Sequence, residues 1–105
     1  MKTQAQWKNE IARQFEISTE ELRGFRILFE GHAEEDYSDS ILLILRKDGA
    51  LFEVEASHCS CYGFEGMWNP RKTTVGALLK RTPASLSDRD YVRFRDFVAR
   101  LRVSA

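Results

Sequence analysis

Apolar residues recur at two periods along this chain, and each change of period marks a new element. Trp7, Ile11 and Phe15 are spaced by four, with Ala12 beside them, which is the stripe of an amphipathic helix. Thr3 with Gln6 three residues later is a capping-box pattern, so the helix is predicted over 3–15. Ser18 with Glu21 repeats that pattern and Gly24 supplies a stop, giving a short second helix over 19–23. Phe25, Ile27 and Phe29 then alternate with Arg26, Leu28 and Glu30, the period-two pattern of a strand with its three odd residues on one face. Residues 34–39 (Glu-Glu-Asp-Tyr-Ser-Asp) read as an acidic loop.

Ile41 to Leu45 form an unbroken apolar run, as expected of a strand covered on both faces. Asp48-Gly49 signals a hairpin, and the return strand over 51–56 puts Phe52, Val54 and Ala56 on one face. Residues 57–71 read as a structured loop or short strand, with Pro70 holding Asn69 out of the helical region. A short helix over 73–81 carries Val75, Leu78 and Leu79, and Pro83 closes it. Ser87 caps a last helix whose first turn holds Asp88 and Asp90, favourable to the helix dipole. Tyr91, Phe94, Val98 and Leu101, with Phe97 alongside, form its buried stripe. The expected fold is α+β in a single domain over 1–105. It is a three-stranded antiparallel meander with an N-terminal helix and two C-terminal helices packed on a face of the sheet.

The chain has 105 residues, enough for one domain and a modest core. Seven Phe, three Tyr and two Trp give that core its bulk and exclude a disordered chain. The 16 basic and 16 acidic residues balance, whereas a dedicated nucleic-acid binder is basic overall. The balance hides two unequal halves. Residues 1–65 hold 7 basic and 13 acidic side chains, and residues 66–105 hold 9 basic and 3 acidic. A bipolar surface of this kind can steer a charged partner. The basic half, with Arg89, Arg93, Arg95, Arg100 and Arg102 along its last helix, makes a nucleic-acid accessory role one alternative reading. The chain lacks the apolar run a membrane helix needs and its first residues are polar, so a cytoplasmic protein with no membrane partner is expected. Cys59 and Cys61 are then expected as free thiols, since a bridge between residues two apart is badly strained.

One segment carries most of the chemistry: Ser57-His58-Cys59-Ser60-Cys61-Tyr62-Gly63-Phe64-Glu65-Gly66-Met67-Trp68-Asn69-Pro70. Its aromatic and thioether side chains, Tyr62, Phe64, Met67 and Trp68, supply rigid contact area for a protein partner, and its glycines permit tight turns. Equally, Phe64 and Trp68 can plug the end of the sheet. His58, Cys59 and Cys61 are zinc-type ligands, with His32 as a fourth, but neighbouring His58 and Cys59 point to opposite faces of an extended segment. No cofactor is therefore expected, and zinc stands as the alternative. A cysteine nucleophile with His58 or His32 as its base is a non-specific signal, so catalysis is not expected. The acidic run at 34–36 lacks the spacing of an EF-hand calcium loop.

The His-Cys-Ser-Cys-Tyr-Gly run, followed by Glu-Gly and by Trp68-Asn69-Pro70, resembles a group of small uncharacterised phage and bacterial proteins with such a segment after a hairpin strand. The resemblance spans roughly residues 37–79. Members of the group tend to carry Gln where this chain has Met67, and acids where it has Arg71 and Lys72. The resemblance implies a phage or prophage setting and supplies no activity. The reading that follows is a non-catalytic interaction module that binds a protein partner through residues 57–70.

Overall fold

The computed structural model describes residues 2–35, 38–59 and 63–104. Helix α1 (Gln4–Phe15) opens on Thr3, whose hydroxyl accepts from the Gln6 backbone while the Gln6 side chain accepts from the Thr3 backbone, the reciprocal capping box. A 3₁₀ helix follows at Thr19–Leu22. Strands β1 (Arg26–Glu35), β2 (Ser38–Lys47), β3 (Ala50–Cys59) and β4 (Arg71–Thr73) form one antiparallel sheet in sequence order. Helices α2 (Val75–Leu79) and α3 (Asp88–Ser104) complete the fold. The α+β class and the terminal helices are as expected, but the sheet has four strands and not three. β4 escapes a reading of hydrophobic pattern because its residues, Arg71, Lys72 and Thr73, are all polar. Backbone pairing with Glu53, Phe52 and Leu51 makes it a strand, and exposed cations suit a sheet edge.

The helices lie on both faces of the sheet, not on one. Ile41, Leu43 and Leu45 of β2 pack toward α1 and the 3₁₀ helix, with Ile11, Phe15 and Leu22. Leu42 and Ile44 pack toward α2 and α3, with Leu78, Phe94 and Val98. That explains the unbroken apolar run of β2, which is buried throughout Ile41–Leu45. Phe52, Val54 and Ala56 share the α1 face, as their alternation implies. The stripe of α3 is also as read: Phe94, Val98 and Leu101 are buried and Tyr91 and Phe97 pack beside them.

Phe25, Ile27 and Phe29 do not share one face. Ile27 pairs with Leu45 and Phe29 with Ile44, so Leu28 is an extra residue in a bulge. Ile27 enters the α1 core, and Phe29 enters the α3 core. The predicted acidic loop is likewise shorter than read. Glu34 and Glu35 end β1, and Ser38 and Asp39 begin β2, pairing Glu34 with Asp39 and Glu35 with Ser38. Acidic composition reports exposure to water there, while the backbone ladder runs on. The Asp48-Gly49 hairpin is a two-residue turn joining Lys47 and Ala50, with φ of 51° and 79° at its two central residues, the type I′ geometry.

The outer edge of β1 is capped at two positions, Ile27 and His32, by side chains and by the Ser87 backbone. Gln4 behaves like a strand residue: its Oε1 accepts from Ile27 N at 2.9 Å and its Nε2 donates to Ile27 O at 2.8 Å. Further along, His32 N donates to Asp90 Oδ2 at 2.7 Å, and Ser87 N donates to His32 O at 2.9 Å. Both ends of α1 and α3 nearest the sheet are thereby tied to the same edge strand.

Candidate functional site

Ser57, His58 and Cys59 of the 57–70 segment end β3 and are not loop, and residues 63–70 pack against the end of α1. Phe64 N donates to Gln14 O at 3.2 Å, which fastens the segment to the last turn of α1. The Phe64 ring is buried, stacked 5.3 Å from Phe15 and edge-on to His58 at 4.5 Å. Trp68 is half-buried, with T-shaped contacts to Phe15 at 5.4 Å and Phe25 at 6.3 Å. Two of the four aromatic and thioether residues named for partner contact thus anchor the segment to the core. Between these anchors the chain turns: Met67 N donates to Phe64 O at 3.1 Å, and Gly66 sits at φ 79°, a conformation in which a side chain is strained. Met67 is presented outward, 37% exposed, at the tip of the turn. Tyr62 lies outside the described residues.

Beside Met67 is a cavity of about 620 Å³, which Asn69, Ser40, Ser57, Glu55 and Ser85 also line. Ser40 faces Ser57 across the β2–β3 ladder. Ser85 is buried, and its hydroxyl donates to Glu55 Oε2 at 2.6 Å. Arg81 bridges the Glu53 and Glu55 carboxylates. Burial disfavours the Arg81 charge, but the two carboxylates outweigh that and raise its pKa. This network holds residues 81–86 against β3. It places the cavity where β3 runs past β4, for β4 pairs with residues 51–53 and no described strand pairs with the rest of that edge of β3. The sequence reading missed Glu55, Arg81 and Ser85. The signal was the polar alternation Glu53, Glu55, Ser57 on a strand whose other face is apolar.

His58 stands on the α1 face, 3.7 Å from Asp39 Oδ2 and edge-on to Phe64. His32 is on the same face of β1, with β2 between the two histidine-bearing strands. It is a mid-strand residue of β1. Cys61 lies outside the described residues, and Cys59 is described as the last backbone position of β3, paired with Ser38. Among the described residues no group of three His, Cys, Asp or Glu side chains is arranged to hold a metal ion. Of the C-terminal arginines, Arg93 pairs with Asp90 at 2.9 Å, and Arg95 donates to Leu79 O at 3.1 Å. Among the described residues no helix is long and apolar enough to cross a membrane. Comparison of the chain with protein-family models, curated proteins and solved structures yields no match.

Proposed function

We propose that the protein is a non-catalytic, cytoplasmic interaction module, of the phage or prophage kind its His-Cys-Ser-Cys-Tyr-Gly segment resembles. It binds a protein partner through residues 57–70. The observation that carries this reading is the position of Met67: exposed on a turn pinned on both sides by Phe64 and Trp68, next to a cavity at the edge of β3 that no described strand covers. Methionine is an adaptable contact residue, and a turn fixed by buried aromatics loses little conformational freedom on binding. A partner segment in extended form would add beside β3 beyond β4, with Met67 and Asn69 on its flank.

A photo-crosslinking residue placed at position 67, in cells that make the protein, tests this. Val92, 60% exposed on the outer side of α3, is the control position. The expected outcome is one defined adduct from position 67 and none from position 92. The partner so identified should lose binding to Met67→Asp, while that variant keeps the wild-type unfolding midpoint. Equal adducts from both positions, or undiminished binding by Met67→Asp, would overturn the reading.

A further inference from the structure

The opposite edge of the sheet carries a second site. Where α1, the edge of β1 and α3 meet, a groove of about 840 Å³ runs over the edge strand. That volume is far larger than an inorganic ion needs and lies in the range of small-molecule pockets. Trp7 and Leu28 give it an apolar lining, and Lys2 ahead of α1, Arg26 on β1 and Arg93 on α3 give it cations. Its one lining carboxylate, Glu30, is already engaged on both oxygens: Oε1 accepts from Trp7 Nε1 at 2.6 Å, and Oε2 meets His32 Nε2 at 2.6 Å. These bonds fix the indole and the imidazole in place. They also commit Nε2 of His32, so Nδ1 is the ring nitrogen open to a ligand among the described contacts.

We infer that this groove binds a small organic phosphate of nucleoside-monophosphate size, its phosphate among Lys2, Arg26, Arg93 and His32 and its apolar body against Trp7 and Leu28. Glu30 is neutralised locally by His32, Lys2 also pairs with Glu10 and Arg93 with Asp90, and Arg26 is the lining cation with no carboxylate partner among the described contacts, left for an anion. His32 is held protonated more readily than an ordinary histidine, chiefly by the hydrogen bond it donates to Glu30 and against the opposing effect of burial. An extended peptide does not fit this edge, because Gln4 occupies the backbone of Ile27 and Asp90 with Ser87 occupies that of His32.

The test is a titration of the full chain with adenosine monophosphate, with adenosine and with inorganic phosphate, read on the Trp7 indole N–H resonance. A saturable shift with adenosine monophosphate, at least tenfold weaker with either fragment, is the expected result. Arg26→Ala removes an exposed guanidinium with no carboxylate partner among the described contacts, so it should leave the unfolding midpoint unchanged and weaken binding about tenfold. No saturable shift, or inorganic phosphate or adenosine binding as tightly as the nucleotide, would overturn the proposal. So would Arg26→Ala binding as tightly as the wild type.

Discussion

Ile27 and Phe29 stand on opposite faces of one sheet although a single residue, Leu28, separates them. Regular alternation would put both on the same face. The bulge at Leu28 breaks it, and Phe29 reaches the α3 core, 5.6 Å from Phe94 in an edge-on contact and 5.3 Å from Phe97 in a stacked one. Deleting Leu28 should therefore leave a regular strand in which Ile27 still meets Leu45 and Phe29 still meets Ile44. The loss is the half-buried Leu28 side chain, about 1–2 kcal/mol. Deleting Glu30 instead lets the ladder absorb the bulge by moving Leu28 to the α3 face and Phe29 to the α1 face, at a cost nearer 3–5 kcal/mol. Urea unfolding of the two deletion variants checks this. Equal losses would show that the bulge does not set the two faces.

This bulge is also where the sequence became hard to read. A period of two over Phe25, Ile27 and Phe29 is the ordinary strand signature, and nothing in those residue types marks an extra residue among them. The elements that were legible had a local cause: the Thr3–Gln6 capping box, the Asp48-Gly49 turn, the α3 stripe and the doubly buried β2 run. β4 was not legible, since pairing with β3 and not side-chain pattern makes it a strand. The candidate sites divide in the same way. The composition of residues 57–70 marked them, whereas the roles of Phe64 and Trp68 as anchors depend on where α1 lies. Trp7, Glu30 and His32 are far apart or unremarkable in sequence, and α1 and β1 bring them together.

Gly49 is at φ 79° with no atom within 4 Å of where a Cβ would stand, so a substitution there meets strain in the backbone and not a clash. Gly49→Val should cost roughly 1 kcal/mol or more, while Gly49→Asn, a residue that tolerates this conformation, should cost less. Thermal melts of the two variants decide it: equal midpoints would remove the type I′ turn as the cause.

The Glu30–His32 pair predicts a pH dependence with a definite sign. Around His32 are Glu30 and Glu34 on β1 and Asp90 and Arg93 on α3, with Lys2 across the groove acting on Glu30. The hydrogen bond donated to Glu30 and then the surrounding carboxylates raise the His32 pKa above its ordinary 6.5, against burial. That stabilisation is full below pH 6.5 and is lost as pH rises through the folded-state value. Burial opposes the Glu30 charge, but the bonds from His32 and Trp7 prevail and hold its pKa below 4.5. Its contribution is present above pH 4.5 and is lost as pH falls through the lower folded value. The pair should stabilise the fold most between these limits, and the midpoint of thermal unfolding should decline from pH 6.5 toward pH 9. His32→Gln should flatten that alkaline decline. A variant whose midpoint falls in parallel with the wild type would show that another group governs it.

Gln4 closes the edge of β1 with an amide that donates to Ile27 O and accepts from Ile27 N. Both contacts are partly buried, so Gln4→Ala leaves a backbone donor and acceptor without their partners. The expected loss is about 1–3 kcal/mol. Gln4→Glu separates the two halves of the contact. Its carboxylate can still accept from Ile27 N but has no proton for Ile27 O, and at neutral pH it sets a negative charge against that carbonyl. It should therefore be no more stable than Gln4→Ala at pH 7 and should recover stability as pH falls and the carboxyl becomes protonated. The opened edge also offers unpaired strand to a second chain, so Gln4→Ala should associate more at high concentration than the wild type. Denaturation at two pH values and sedimentation across a concentration series read both effects. A Gln4→Glu variant as stable as wild type at pH 7 would show that the amide does not act as the strand's edge partner.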